Sequence, residues 1–217
     1  RYLAHKVIAH FGRVVSGVPK LGDSVECVVD SNNRSATAAN HSATHLLHSA
    51  LREVFGDHVQ QKGSMVNAER LRFDFSHGEA VSSADINKIE QIVNHQIRIN
   101  SGVNTRVMNI DDARDEGAAA LFGERYEDDV RVVGMGEFSL ELCGGTHVSR
   151  TGDIGAFRVI AESGIAAGVR RLEALTGEAV RTYGVNESET LSRISALLKT
   201  GRSDVEDRAA SLVGRVR

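Results

Sequence analysis

Asn40-His-Ser-Ala-Thr-His-Leu-Leu-His48 is the stretch of sequence that decides the fold around it. Apolar side chains recur at helical spacing through this stretch and beyond it, and the pattern predicts an amphipathic helix from Ala39 to Phe55. Asn40 is the expected N-cap, and Gly56 is the expected stop at the C-terminal end. One stripe of the helix is apolar and is expected to face the core: Leu47, Leu51 and Val54.

A second stripe of the same helix is polar and carries two histidines four residues apart, His41 and His45. Side chains at i and i+4 lie on one face of a helix, so the two imidazoles converge. About a hundred residues later the chain reads Cys143-Gly-Gly-Thr-His147, which adds a thiol and a third imidazole. These are the N and S ligands that a tetrahedral zinc ion accepts. The sequence therefore predicts a zinc site with four ligands: His41, His45, Cys143 and His147.

The composition of this ligand set favours a catalytic zinc over a structural one. Structural sites are usually rich in Cys and use short spacings, whereas this set has one Cys, three His and a long gap. Catalytic zinc keeps one position for water and lowers the pKa of that water to near 7. Four protein ligands would close the site, so one of them must give way. His147, which follows a conformationally free Gly-Gly pair, is the candidate, and either His147 or water fills the fourth position.

The sequence motifs of several other enzyme classes are absent from this chain. The metalloprotease pattern H-E-x-x-H uses its Glu as general base, but Ser42 occupies that position, so a zinc peptidase is disfavoured. The H-x-E and P-C-x-x-C elements of zinc deaminases are absent from the sequence. Neither a G-x-S-x-G elbow nor a phosphate-binding P-loop is present, so no ATP-driven chemistry is visible.

Two more polar side chains lie on the histidine stripe. Thr44 lies between the two predicted histidine ligands, so its hydroxyl either points near the metal or bonds to the backbone carbonyl four residues earlier. His48 is expected to support a ligand or to pack in the core rather than to bind the metal itself.

The stretch Val59-Gln-Gln-Lys-Gly-Ser64 directly follows the helix and is predicted to form a glycine-bearing turn. Gln61, Lys62 and Ser64 offer an amide, an ammonium and a hydroxyl, which suit a polar substrate. A solvent-exposed turn with no binding role is the alternative.

Arg170 and Arg171 lie next to each other in a predicted strand, so their side chains point to opposite faces. Only one of them can face a given site. We interpret the pair either as a contact for an anionic group such as a phosphate or as a solvated pair.

The bulk composition is that of a soluble globular protein. The chain has 217 residues, of which 41% are hydrophobic and 25% charged, with a net charge of −3, so any nucleic-acid partner must be met by local patches. No apolar run is long enough for a membrane span, and no leader pattern opens the chain. Cys27 and Cys143 are the two cysteines, which favours a reducing cytoplasm, and Cys27 is expected to be a small buried hydrophobe.

Strand and helix patterns alternate at hairpin-like spacing and predict an α+β fold with an antiparallel sheet and helices packed around the zinc site. Residues 1–30 are predicted to be the C-terminal part of a small β-barrel, 31–182 the zinc-dependent domain, and 183–217 a helical linker toward a further domain. Because the chain opens at Arg1 rather than at Met, we interpret it as part of a longer protein. The predicted strands are 70–76, 103–108, 129–133, 137–142, 156–161 and 169–174, and the predicted helices are 82–100, 112–121 and the region after 178.

Five segments of the chain resemble the editing domain of the alanyl-tRNA synthetase family, which belongs to the alanyl/threonyl-tRNA synthetase second additional domain superfamily. The resemblance as a whole covers roughly residues 1 to 182. The five segments occur in the family's order: Asn40-His-Ser-Ala-Thr-His-Leu-Leu-His48, Val59-Gln-Gln-Lys-Gly-Ser64, Leu71-Arg-Phe-Asp-Phe-Ser-His77, Glu141-Leu-Cys-Gly-Gly-Thr-His147 and Ala166-Ala-Gly-Val-Arg-Arg171.

The resemblance implies hydrolysis of tRNA(Ala) mischarged with Ser or Gly, by a zinc-bound water at the four predicted ligands. It also implies that the longer protein is an ATP-dependent alanine–tRNA ligase whose aminoacylation domain lies outside this chain. A structural-zinc module that only binds tRNA and a free-standing editing protein are the alternatives. The residues given editing roles are Thr44, Gln61 and Ser64, and those expected to bind tRNA are Lys62, Arg170 and Arg171.

Overall fold

The computed structural model describes residues 2–3, 7–119 and 127–216, and the chain divides into two compact units, Arg1–Asp30 and Ser31–Arg217. Strands pair antiparallel in both units, and the second unit combines these sheets with helices. The predicted α+β class is therefore confirmed.

The first unit contains one short hairpin, in which β1 (Tyr2–Leu3) pairs with β2 (Val7–Ile8). Residues 9–30, which belong to the predicted barrel portion, contain neither strand nor helix. A strand is stabilised by its ladder partner, and residues 9–30 pair with none in the described part of this unit. Cys27 is exposed here, so its predicted burial is also wrong. Of the expected barrel only the hairpin is seen.

Helix α1 (Ser31–Phe55) is the central element of the second unit and begins earlier than the predicted Ala39. Asn40 is therefore not an N-cap but a buried residue inside the helix. Its amide nitrogen donates to the Asn67 carbonyl at 2.8 Å, and its amide oxygen accepts from the Thr176 hydroxyl at 2.8 Å. Asn40 thus ties the helix to the sheet instead of starting it.

A four-stranded antiparallel sheet packs against α1, in the order β3-β4-β9-β8. Its strands are β3 (Gln61–Val66), β4 (Leu71–Ser76), β8 (Phe157–Ala166) and β9 (Val169–Thr176). Alternation along β4 and β9 places one set of apolar side chains on the face toward α1, where they are fully buried: Leu71, Phe73, Leu172 and Ala174. The strands predicted at 70–76, 156–161 and 169–174 are confirmed.

Helix α2 (Ser83–Ile99) covers the same core beside α1. Ser82 is its N-cap and accepts a hydrogen bond from the backbone nitrogen of Asp85 at 3.1 Å, as the capping-box pattern predicts. Its inward stripe fills the space between α1 and the sheet: Ile89, Val93 and Ile97.

A second, three-stranded sheet carries the Cys143 loop. It consists of β5 (Val103–Asn109), β6 (Asp129–Met135) and β7 (Ser139–Leu142), with the short helix α3 (Ile110–Asp115) packed against it over a small apolar core. The predicted β pair that delivers Cys143 is confirmed, because β7 pairs with β6 and ends one residue before that cysteine.

Two helices close the described chain, α4 (Gly177–Leu198) and α5 (Val205–Val216). Most of their residues are exposed, in agreement with the polar, helical pattern predicted after 178. In the described ranges of the chain, no helix is both long and apolar enough to cross a membrane.

Candidate metal centre

The structure brings the four predicted metal ligands together at one corner of the fold. His41 and His45 project from one face of α1, while Cys143 and His147 come from the loop after β7. With one ligand atom taken from each side chain, the four atoms all lie within 4.8 Å of one another. We call these four residues the metal centre.

Two of the histidines present the same ring nitrogen to the cysteine. Nε2 of His41 lies 3.5 Å from Cys143 Sγ, and Nε2 of His147 lies 3.3 Å from it. The other ring nitrogen is held by the protein in both cases: Nδ1 of His41 lies 3.3 Å from the Thr146 carbonyl, and Nδ1 of His147 lies 3.1 Å from the Ser42 hydroxyl. A partner on Nδ1 fixes the tautomer and aims Nε2 at a metal. Ser42, where a protease would need Glu, thus orients a ligand.

Glu141 performs the same task for the third histidine, and the sequence reasoning missed it. This carboxylate is buried, with 4% of the residue exposed, and its two oxygens meet two different imidazoles. Nδ1 of His45 lies 2.6 Å from one oxygen, and Nδ1 of His48 lies 2.9 Å from the other. The available signal was its position two residues before Cys143, since alternation places both on one side of the strand.

The site fits a metal ion by three features of the chain itself. Nε2 of His45 is buried and has no hydrogen-bond partner among the described residues, as expected of an atom whose partner is a metal. A Cβ atom at Gly145 would collide with the His41 ring, so the loop can approach the ligands only as glycine. The donor set of one sulfur and three imidazole nitrogens suits zinc.

The charged groups of the metal centre and its neighbour Glu141 shift each other's pKa. Burial alone would raise the pKa of Glu141, but the attraction of His45 and His48 and their hydrogen bonds together outweigh burial and lower this pKa to about 2. Burial would also raise the pKa of Cys143, yet hydrogen bonds from His147 and His41 lower it to about 3, which gives the thiolate that metals bind. Burial would lower the pKa of His45, but Glu141 and Cys143 together raise it to about 10, so a metal has to displace a proton from this ring.

Arg131 supports the cysteine loop from behind and was also missed by the sequence reasoning. One guanidinium nitrogen donates to the Cys143 carbonyl at 2.7 Å and to the Gly145 carbonyl at 2.8 Å. The other terminal nitrogen donates to the Thr105 hydroxyl at 3.3 Å. This guanidinium satisfies loop carbonyls that no strand pairing covers, and it sets the loop's conformation.

Thr44 makes the backbone bond that the sequence analysis left as an alternative. It is 4% exposed, and its hydroxyl donates to the carbonyl of Asn40 at 2.9 Å. The hydroxyl oxygen keeps its capacity to accept a further hydrogen bond.

Gln61 and Ser64 lie on strand β3, so the predicted turn is wrong. The segment forms a strand because it pairs with β4, with Gln61 opposite Phe75 and Ser64 opposite Phe73. Directly opposed residues project from the same side of a sheet, so Gln61 and Ser64 share the face that packs on α1. Their side chains lie 3.5 Å apart. Lys62 lies at a bulge in this strand, and its ammonium donates to the Gln60 side chain at 3.4 Å.

Arg170 and Arg171 point to opposite faces of β9, as alternation predicts, but neither is a freely solvated side chain. Nε of Arg170 donates to Glu162 at 2.6 Å. Arg171 makes two parallel hydrogen bonds to Asp74, of 2.7 and 2.8 Å. An anionic partner at either arginine therefore has to compete with a carboxylate of the sheet.

Comparison with protein families identifies part of this region. Residues 130–173 match the family described as "Threonyl and Alanyl tRNA synthetase second additional domain". The match includes Cys143 and His147 of the metal centre and both arginines of β9, whereas the two ligands on α1 precede it.

Curated relatives match almost the whole chain. An alanine–tRNA ligase of Saccharophagus degradans is 54% identical over 209 residues, and one of Acidithiobacillus ferridurans is 53% identical over 208 residues. Each alignment covers 96% of this chain and 24% of the relative, so the chain spans about a quarter of the length of the relatives it matches. The resemblance to the family is thereby confirmed: this chain corresponds to the part of the alanyl-tRNA synthetases that carries the second additional domain.

Proposed function

We propose that this chain hydrolyses the ester bond of tRNA(Ala) mischarged with serine or glycine, with zinc at His41, His45, Cys143 and His147. The observation that carries the proposal is the convergence of these four ligands, each imidazole being oriented through its Nδ1 by another protein group. Such orientation is expected of a working metal site. The similarity to alanine–tRNA ligases is the reason to propose tRNA(Ala) as the carrier of the substrate.

Physical chemistry explains why such a site would exist. A synthesis pocket that accepts alanine cannot reject small amino acids of nearly the same size by more than a modest factor through binding alone. A second, hydrolytic site removes the error. Such a site spares alanine if it is built to hydrogen-bond the serine hydroxyl, because alanine leaves those groups unpaired at a cost of about 1–3 kcal/mol.

The chain's own polar groups would bind and orient the aminoacyl ester. Thr44 lies one position before a ligand of the metal centre, and Gln61 and Ser64 lie on the sheet face directed toward α1. These three groups can meet the amino group, the ester and the serine hydroxyl. Bound zinc would supply Lewis acidity and lower the pKa of water to near 7.

The tRNA itself would be held by cations outside the metal centre. Lys62 lies on the same strand as Gln61, and Arg170 and Arg171 lie two strands away. We infer that the longer protein is a cytoplasmic alanine–tRNA ligase and that this segment edits without aminoacylating.

Deacylation assays test the proposal directly. Zinc-loaded protein is expected to release serine from Ser-tRNA(Ala) and glycine from Gly-tRNA(Ala) much faster than alanine from Ala-tRNA(Ala). Chelation should stop release of serine and glycine, and zinc should restore it. Absence of hydrolysis of both mischarged tRNAs by the zinc-loaded protein would reject the proposal.

A second candidate is a tRNA-binding module in which zinc is only structural. The observation that favours it is that the four ligands join α1 to a loop far away in the sequence, as a structural cross-link would. Circular dichroism after chelation separates the two. A hydrolase site loses turnover while the helices remain, whereas a structural site loses helical signal together with the metal.

A further inference from the structure

His48 is a buried histidine next to the metal centre, for which the proposed function gives no role. It is 6% exposed and lies three residues after His45 on α1. Its Nδ1 lies 2.9 Å from the Glu141 oxygen that His45 does not use. A carboxylate accepts hydrogen bonds, so Nδ1 of His48 is the donor, and Nε2 of the neutral ring is then an acceptor.

The Nε2 atom of His48 has no hydrogen-bond partner among residues 7–119 and 127–216. Within the ranges that the structure describes, four buried side-chain polar atoms are in this position: His45 Nε2, His48 Nε2, Arg72 Nε and Ser139 Oγ. The metal centre accounts for His45. Buried polar atoms in proteins are almost always paired, so the Nε2 of His48 indicates a donor other than the residues that the structure describes.

A cleft of about 210 Å³ borders His48 and shows where such a donor would enter. Gln61 lines the same cleft, together with Arg52, Asp57 and Val59. Arg52 and Asp57 are paired with each other at 2.8 Å, and neither is a hydrogen-bond partner of His48 Nε2 in this structure. The volume accommodates a small polar group such as an aminoacyl moiety with a few waters.

We infer that His48 is a substrate-binding residue of this cleft, whose Nε2 accepts a hydrogen bond from a donor at the aminoacyl end of the tRNA. The donor is the amino group of the amino acid or the free hydroxyl of the terminal ribose. The inference rests on the proposed function and extends it, because it places the substrate between His48 and Gln61. Since Nε2 is buried in this structure, we expect a side chain that lines the cleft to shift when the substrate enters.

Glu141 gives this arrangement its geometry. One carboxylate orients both His45, a ligand of the metal centre, and His48, a wall of the cleft. The two imidazoles are therefore held at a fixed separation. A substrate bonded to His48 would lie at a defined distance from the metal centre, which is what a near-attack geometry requires.

Two amide substitutions separate a binding role from a structural one. In His48→Asn the amide nitrogen takes the place of Nδ1, so the bond to Glu141 can persist while Nε2 is lost. In His48→Gln the amide group takes the place of Nε2, and the bond to Glu141 is lost. Zinc content and melting temperature are measured for both variants, followed by kcat and KM for Ser-tRNA(Ala).

We expect His48→Asn to keep its zinc and its melting temperature and to lose roughly tenfold or more in kcat/KM, with His48→Gln less impaired per zinc bound. The opposite order, with His48→Asn at the wild-type kcat/KM and His48→Gln impaired, would mean that His48 only supports Glu141. Loss of zinc from both variants would also overturn the inference.

Two altered substrates identify the donor. One ends in 2′-deoxyadenosine and lacks the ribose hydroxyl beside a 3′-ester; the other carries 3-hydroxypropionic acid, which has a hydrogen in place of the serine amino group and therefore no donor there. The substrate that lacks the relevant donor should react equally with wild-type and His48→Asn protein. A full wild-type advantage on both substrates would overturn the inference.

Binding of a non-hydrolysable analogue keeps the inference separate from the proposed function. The probe is adenosine with serine joined to its 3′ position through an amide. If zinc-loaded wild-type protein does not hydrolyse Ser-tRNA(Ala), the proposed function fails, and tighter binding of the probe by wild-type than by His48→Asn would still support a binding role. Equal affinity in the two proteins would reject it.

Discussion

The metal centre and the arginine pair of β9 are both clusters of polar groups, but they differ in whether those groups have partners within the described chain. At the metal centre, Nε2 of His45 is buried and unpartnered within the described chain, and a thiolate faces two imidazoles. On β9, by contrast, Arg170 and Arg171 each meet a carboxylate of the same sheet. Groups that are left without an internal partner mark the place where an external ligand is needed. Groups whose partners lie in the chain stabilise it first.

The largest effect that tests this comparison is expected from Cys143→Ala. The thiolate is the softest of the four ligands, so its loss should reduce zinc from about one equivalent to near zero and abolish hydrolysis of Ser-tRNA(Ala). Zinc analysis by mass spectrometry and deacylation assays measure both. Cys27→Ala removes the exposed cysteine of the other unit and is the matched control. Full zinc occupancy with wild-type hydrolysis in the Cys143 variant would remove the metal assignment.

Glu141→Gln is expected to have the next largest effect. The amide keeps the shape of the side chain but has no charge and only one acceptor oxygen. It therefore cannot accept hydrogen bonds from the Nδ1 atoms of both His45 and His48 through separate oxygens. Zinc affinity should fall roughly 10- to 100-fold, measured by competition with a chelator of known affinity. Glu137→Gln, at an exposed position before β7, is the control. An unchanged zinc affinity would mean that Glu141 does not orient His45.

Thr44→Val tests whether a backbone-bonded hydroxyl also reads the substrate. If the Thr44 oxygen accepts from the serine hydroxyl, the variant should lose discrimination between Ser-tRNA(Ala) and Ala-tRNA(Ala) by about 1–3 kcal/mol, or roughly 5- to 150-fold, with zinc still bound. Equal slowing on both substrates would indicate a role in placing the ester.

The helix itself offers a matched control for Thr44. Thr37 makes the same type of bond, to the Asn33 carbonyl at 2.8 Å, two turns earlier. Thr37→Val therefore removes an equivalent backbone bond without touching the metal centre. A loss of discrimination in both variants would assign the effect to the helix rather than to the substrate.

The smallest effect is expected at the arginine pair. Alanine substitution of the arginine that meets a phosphate should weaken tRNA binding and reduce the salt dependence of log Kd by about one unit of slope. The other arginine, on the opposite face, serves as the control for the first. Zinc content should be unchanged in both variants. If neither variant changes the tRNA affinity or the salt slope of log Kd, the pair stabilises the sheet and does not contact tRNA.

Local pattern was sufficient to predict most of this fold. The period of α1, the capping box at Ser82 and the alternation in 70–76 and 129–142 each depend on residues that are close in sequence. The pairing of His41 with His45 also follows from helical spacing alone. What could not be predicted depends on partners that are distant in sequence. Asn40 has the residue type of an N-cap, and local sequence does not show that its side chain bonds to Thr176 instead, 136 residues away.

The supporting residues of the site were missed for the same reason. Glu141 and His45 are 96 residues apart, so the pattern around Glu141 does not show that its carboxylate bonds to His45, and Arg131 belongs to none of the motifs used in the prediction. The segment 59–64 was predicted to be a turn because of its glycine and polar residues, and only its pairing with β4 makes it a strand. In residues 9–30 the error is the reverse, since β-prone residues were predicted to pair where the described unit offers no partner strand.

The long interval between the two halves of the metal centre has a consequence for the order in which the domain assembles. His41 and Cys143 are separated by 102 positions, so bringing them together requires closing a large loop and losing the corresponding chain entropy. In a zinc finger the ion itself closes a short loop. Here α1 packs on the sheet over a buried apolar core, and this packing brings the two halves of the metal centre together. If it is sufficient to close the loop without an ion, the metal-free domain stays folded and exchanges zinc without passing through the unfolded chain.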